Sequence, residues 1–201
     1  MGLAFVRESE LDHAGDAMTS AIFTDGRPMS EAEFLALGET PERIELFDGS
    51  LHVTPAPTPR HQRISLELAV IFRSAAQRAG LHALEAVNVR LRPDRIPIPD
   101  LVITGDIDFD ELVVDASAVR LVCEMISPSN AATDRVLKMH YYAAAGIPRY
   151  LLVEQQTGTL RLFELAGDKY VEAQTAKAGE VLRLTEPVAV DLVPEDLLPP
   201  S

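Results

Sequence analysis

Asp100, Glu124 and Lys138 are the residues whose types and spacing could do chemistry. Pro99-Asp100 opens an apolar stretch that runs to Thr104. Glu124 stands inside Leu121-Val122-Cys123-Glu124-Met125-Ile126, which is apolar on both faces. A segment of that kind reads as a strand covered on both sides, where an ionised carboxylate must find a cation, a metal or a proton. Strand alternation puts Ile98, Asp100 and Val102 on one face, and Val122, Glu124 and Ile126 likewise share one. If the two strands pair, their acids meet over one spot. Carboxylates converging without cysteines suit a hard divalent cation, Mg²⁺ or Mn²⁺, better than zinc. Such an ion can activate a water for phosphodiester hydrolysis.

A positive charge follows in the sequence. Ser127-Pro128-Ser129-Asn130 ends the strand and offers helix caps, and a helix is predicted from about Ala131 to Ala145, stopped by Gly146 and Pro148. The strand advances roughly 10 Å from Glu124 to Ser127 at about 3.3 Å per residue. The helix returns roughly 12 Å from Asn130 to Lys138 at about 1.5 Å per residue. A fold-back therefore brings Lys138 level with Glu124, where its ammonium could stabilise the developing charge or help prepare the nucleophile. The plainer alternative makes Lys138 the i+4 partner of Asp134 on a solvated helix face and Asp100 a turn acid after Pro99. Glu45, between Ile44 and Leu46, either completes a metal site or is exposed on a half-buried strand. His61 reads first as a cap or surface group, and one of Tyr141 and Tyr142 as packing on the Lys138 stem.

Composition bounds these readings. The chain has 201 residues, 47 % apolar and 24 % charged, with no low-complexity tract, so a globular protein with a substantial core is expected. One cysteine, Cys123, excludes an intramolecular disulfide and reads as an inert, packed thiol. No signal peptide and no apolar run long enough for a bilayer is evident, so a cytoplasmic protein is expected, with no membrane partner. The net charge of −13, from 31 acids against 18 bases, opposes a broad non-specific grip on nucleic acid. It leaves room for a local groove if Arg60, Arg63, Arg73, Arg90, Arg92 and Arg95 gather beside the acids. There is no Gly-rich phosphate loop, no Gly-x-Ser-x-Gly elbow and no histidine pair at metal spacing. A glycosidase reading of the acids lacks stacking platforms, since tryptophan is absent and aromatics are 5 %.

The elements that must position these residues are legible in order. Ser30 with Glu33 forms a capping box for a short helix. Arg43–Phe47, Asp48-Gly49 and Ser50–Thr54 spell a hairpin. A proline-rich connector leads to a long helix from about Pro59 to Ala79, ended by Gly80. Strands are predicted over Leu84–Leu91, Ile98–Thr104 and Arg120–Ile126, with an acidic loop over 105–117. After the second helix come Arg149–Glu154, Thr159–Leu165 and Lys169–Ala173 as a meander, then one or two short strands over 180–193. The result is an α/β (α+β) fold, a mixed central sheet flanked by helices with an N-terminal hairpin and a C-terminal β meander. An arm over 1–27, a single domain over 28–193 and a frayed tail over 194–201 are expected.

The ordered motifs carry a resemblance. Pro28-Met29-Ser30 with Glu33-Phe34, Ile44-Glu45-Leu46-Phe47-Asp48-Gly49, Pro57-Thr58-Pro59-Arg60-His61, Pro99-Asp100-Leu101-Val102, Glu124-Met125-Ile126-Ser127-Pro128-Ser129, Asp134 with Lys138, and Tyr142 through Tyr150 resemble the bacterial Uma-type endonucleases. That family belongs to the PD-(D/E)XK superfamily, and the likeness spans roughly residues 28–193. It implies a restriction endonuclease-like fold, Mg²⁺ dependence with Mn²⁺ as a substitute, and cleavage of DNA, by one chain or a homodimer. It implies Asp100 as the first acid, Glu124 as the second and Glu45 as an additional one, all three both metal-holding and catalytic. Ile126 stands where the superfamily's usual motif places lysine, and the resemblance assigns that role to Lys138 on the next helix. The alternative is a catalytically weak or inactive nuclease-fold protein acting as a binding or regulatory module.

Overall fold

The computed structural model describes residues 20–22, 27–40, 42–126 and 132–200, without the side chains of 20–22 and 132–135. Strand β1 (Ser20–Ile22) lies within the stretch expected to be an arm; three residues are too few to show an alternation. Helix α1 (Glu31–Leu35) starts with the predicted capping box: Ser30 Oγ accepts from Glu33 N at 3.3 Å, and Ser30 N donates to Glu33 Oε2 at 3.0 Å. The hairpin follows as β2 (Arg43–Phe47) and β3 (Ser50–Thr54), turned by Asp48 at φ 51° and Gly49 at φ 82°. These angles are those of a tight hairpin turn. A Cβ at Gly49 would also run into Pro28, so this position needs glycine twice over.

Helix α2 (Pro59–Arg78) is capped by the Thr58 hydroxyl, which accepts from His61 N at 3.2 Å, with Pro59 in the first turn. Its stripe of Ile64, Leu68, Phe72 and Ala75 is buried. The strand expected over Leu84–Leu91 is instead broken into β4 (His82–Glu85) and β5 (Val89–Arg90). Ala86, at φ 51°, turns the chain between them. Next come β6 (Arg95–Ile96) and β7 (Leu101–Thr104). The latter starts three residues later than predicted because Pro97 and Pro99 have no N–H for a ladder. The acidic loop contains β8 (Val114–Asp115), paired in parallel with β5, and a single 3₁₀ turn.

Strand β9 (Val119–Ile126) and helix α3 (Ala132–Ala144) precede β10 (Arg149–Glu154). The caps expected at 127–130 lie outside the described residues. The meander continues through β11 (Leu160–Ala166), β12 (Lys169–Ala176), β13 (Leu182–Leu184) and β14 (Val190–Leu192). The C-terminal end departs from expectation. Rather than fraying, Pro194–Leu197 forms helix α4, with Pro194 and Leu197 buried. Leu197 packs with α2 in the main core, with Leu198 against it, which outweighs the disordering tendency of a proline-rich terminus.

The central sheet has the order β12-β11-β10-β9-β7-β4, and the hairpin sheet the order β1-β3-β2-β6. Only β9 and β10 pair in parallel in the large sheet, which requires a crossover, here α3. Alternation along β9 divides its side chains between two cores. Leu121, Cys123 and Met125 pack with α2, while Val122 packs with Tyr142 of α3 and with Tyr150 and Leu152 of β10. Glu124 follows the parity of Val122 and faces α3. Cys123 is fully buried, and burial raises its thiol well above the ordinary range, as an inert packed cysteine requires.

Candidate active site

Three carboxylates on separate segments are buried at the junction of the two sheets: Glu45 at 3 % exposure, Asp100 at 6 % and Glu124 at 8 %. Glu45 comes from β2 of the hairpin sheet, Asp100 from the residue before β7, and Glu124 from β9. Strands β7 and β9 are antiparallel neighbours with Leu101 opposite Cys123, so Asp100 enters one residue beyond, beside the Glu124 position. Its Oδ2 accepts from Met125 N at 2.8 Å.

Helix α3 supplies the cation. Lys138 Nζ donates to Glu45 Oε1 at 2.9 Å and lies 3.7 Å from Glu124 Oε1. The fold-back over β9 thus brings Lys138 to Glu124 and joins both sheets through one ammonium. The side chain of Asp134, its alternative partner, lies outside the described residues. Tyr142, one turn further along α3, donates its hydroxyl to Glu124 Oε1 at 2.6 Å. Ile98 N donates to Glu45 Oε1 at 2.8 Å, and the Thr54 hydroxyl lies 3.5 Å from Glu45 Oε2.

Arg43 is the residue that the sequence reading missed. Its Nη1 donates to Asp100 Oδ1 at 2.9 Å, and its other terminal nitrogen donates to the Ile98 carbonyl. Burial works against its charge, but Asp100, Glu124 and Glu45 more than offset that and hold it above the ordinary arginine range. One signal was available: Arg43 and Glu45 are two apart on one strand and therefore share a face. His61 also reaches the site, with Nε2 3.5 Å from Asp100 Oδ1 and Nδ1 3.4 Å from Gln155 Nε2. Gln155 lies just beyond β10 and also donates to Met125 O at 3.3 Å, a placement no local pattern announces.

Burial changes the chemistry of Glu124. Its carboxyl is pushed up to about 7, foremost by burial. The positive charge of Lys138 and the Tyr142 hydroxyl oppose the rise, while the charges of Asp100 and Glu45 add to it. Of the six arginines that could have gathered beside the acids, four pair with other carboxylates. Arg63 pairs with Glu67, Arg90 with Glu31 and Asp115, and Arg92 and Arg95 with Asp48.

Among the described residues, no three His, Cys, Asp or Glu side chains stand close enough together to hold a metal ion. Lys138 and Arg43 occupy the carboxylates instead. The donor chemistry nonetheless fits a hard divalent cation, because Glu45, Asp100 and Glu124 are buried oxygen ligands whose negative charges already gather positive groups.

Among solved structures, the chain is similar to one described as "a putative nuclease belonging to DUF820 from Anabaena variabilis ATCC 29413". The TM-score is 0.66 at 18 % sequence identity, covering 85 % of this chain and 97 % of that one. At that identity the likeness carries the fold, a nuclease-like mixed sheet flanked by helices. No curated protein matches the chain. Among the described residues, no helix is long and apolar enough to cross a membrane. The sequence of residues 31–197 matches the family Uma2, described as "Putative restriction endonuclease", and the chain belongs to that family.

Proposed function

We propose that this chain is a divalent-metal-dependent endonuclease of the cytoplasm that hydrolyses phosphodiester bonds of DNA. The observation that carries the reading is the convergence of Glu45, Asp100 and Glu124 on Lys138 and Arg43 in a buried site of a nuclease-type fold. Glu45, Asp100 and Glu124 would hold Mg²⁺ or Mn²⁺. When bound, that ion supplies an activated water and Lewis-acid stabilisation of the phosphate oxygens.

The protein groups have separate tasks. Lys138 brings its ammonium to the acids, where it can stabilise the charge that develops on a phosphate oxygen. The Tyr142 hydroxyl fixes Glu124 by one oxygen, and Met125 N fixes Asp100 by one of its own. Arg43 holds Asp100 by a charged hydrogen bond and ties it to the hairpin sheet. Incubating supercoiled plasmid with Mn²⁺ tests the proposal. The parent should nick it and Asp100→Asn should not, whereas equal nicking by both rejects the assignment.

One observation favours a second reading, a nuclease-fold protein that binds without cutting. The charges of the site already find partners within the chain, and the surface arginines pair away from it. That reading predicts no Mn²⁺-dependent nicking by the parent at any metal concentration.

A further inference from the structure

The contacts around Asp100 close into a ring that passes through Gln155 and His61. Strand β7 begins at Leu101, opposite Cys123, so Met125 lies beyond that partner strand and side chains meet its polar backbone groups. Met125 N donates to Asp100 Oδ2 at 2.8 Å, and Met125 O accepts from Gln155 Nε2 at 3.3 Å. The same Gln155 nitrogen lies 3.4 Å from His61 Nδ1, and His61 Nε2 lies 3.5 Å from Asp100 Oδ1.

Donor and acceptor chemistry fixes the protons in this ring. The Met125 carbonyl only accepts, so the Gln155 atom facing it is the amide nitrogen. That nitrogen has a second proton to give, and a proton on His61 Nδ1 would set two donors against each other. The neutral imidazole therefore carries its proton on Nε2, where it faces a carboxylate oxygen. A bare Nε2 would instead oppose two acceptors.

We propose that His61 is a positioning residue of the acid site, a neutral donor that orients Asp100 toward a divalent cation, with Gln155 setting its tautomer. The proposal deepens the nuclease reading and rests on it. Arg43 shares Asp100 Oδ1 with His61, but a guanidinium competes with a metal ion for that carboxylate. A neutral N–H can hold the same carboxylate while it serves as a ligand. The contacts through His61 are at the long end of hydrogen bonding, so they contribute direction more than strength. With its proton on Nε2, His61 acts on the ion through Asp100 and does not ligate it there.

Two measurements on the full chain test this, and neither depends on cleavage. Long-range proton–nitrogen NMR spectra of the metal-free protein near pH 8 should place the His61 proton on Nε2. A proton on Nδ1 would overturn the proposal. Mn²⁺ affinity is then read by titration calorimetry at a temperature where parent and variants are all folded. His61→Leu should weaken it roughly tenfold or more, the cost of removing an outer partner of a metal ligand. His61→Gln, which keeps a neutral N–H of similar reach, should recover most of that loss. Parental affinity in His61→Leu would overturn the positioning role. So would an equal loss in His61→Gln, which would mark the imidazole itself as a ligand. A parent that binds no Mn²⁺ would remove the nuclease reading, and this role with it, whatever the tautomer.

Discussion

Two clusters of carboxylates and cations lie on the same hairpin and behave in opposite ways. At its tip, Asp48 takes hydrogen bonds from Arg92 at 2.7 Å, Arg95 at 2.5 Å and the Tyr141 hydroxyl at 3.1 Å. Arg95 also lies 3.4 Å over the Tyr141 ring. Partial burial pushes the Asp48 carboxyl upward, but those hydrogen bonds and charges prevail and hold it below its ordinary value. Glu45, three residues earlier on the strand that leads into the turn, points instead into the acid site with Asp100 and Glu124. There burial prevails and lifts Glu124 to about 7. At the tip, two arginines balance two carboxylates, Asp48 and Asp94, near water; at the site, three acids face the two cations Lys138 and Arg43 away from it. The first arrangement is a surface clasp, and only the second retains unbalanced negative charge that an external cation could complete.

The contrast can be broken most forcefully at Arg43. Arg43→Met leaves Asp100 buried without its guanidinium, which should destabilise the metal-free protein by about 3 kcal/mol or more in urea unfolding. Mn²⁺ should restore part of the loss, because a bound cation replaces the missing charge. A loss below about 1 kcal/mol would show that Met125 N and His61 hold Asp100 without the guanidinium.

Lys138→Met keeps the stem and the helix propensity but leaves Glu45 and Glu124 buried without their ammonium, so the metal-free protein should again lose about 3 kcal/mol. Cleavage should fall roughly 10²-fold, the cost of a positioned transition-state charge. Thermal stabilisation by Mn²⁺ should persist or grow, since a competing cation has gone. Parental cleavage by Lys138→Met would remove its role while leaving the acids in place.

The pH dependence follows from Glu124. Its carboxyl is raised from 4.5 to about 7 in the folded protein, so folding favours its protonated form. The associated stability is fully present below about pH 4.5, declines as pH rises to about 7, and is absent above that. It is on the order of 3 kcal/mol. Metal-free melting temperatures taken across this window should fall with pH in the parent, and Glu124→Gln should flatten that slope. An equal slope in both would place the titration elsewhere.

The smallest effect belongs to the clasp. Arg92→Ala removes a half-exposed partner of Asp48 and should leave the melting temperature and cleavage close to the parent's, because a solvent-screened ion pair contributes little.

Much of this arrangement was legible in the sequence, for physical reasons. Asp48-Gly49 dictated the hairpin because few residue pairs accept its backbone angles. Pro59 and Gly80 marked the ends of α2. The oily run around Glu124 announced a strand buried on both faces, and rise per residue alone brought Lys138 back over it. What was not legible depended on contacts distant in the chain. Arg43 reaches Asp100 across 57 positions, and Gln155 reaches His61 across 94. Ala86 in a left-handed turn, which splits the predicted strand, has no residue-type signature at all. The terminal helix was misread because proline-rich composition speaks of local order, whereas Leu197 is held by the distant surface of α2.

The most direct test sets the two clusters against each other in one assay. Glu124→Gln and Asp48→Asn each neutralise one carboxylate, the first buried at the acid site and the second at the hairpin tip. Plasmid nicking with Mn²⁺ near pH 8 should fall by about 10²-fold or more in Glu124→Gln. Asp48→Asn should nick within about twofold of the parent, since it alters only the hairpin-tip cluster with Arg92, Arg95 and Tyr141. Equal loss in the two variants, or full activity in Glu124→Gln, would contradict the assignment of the buried acids as the nuclease centre.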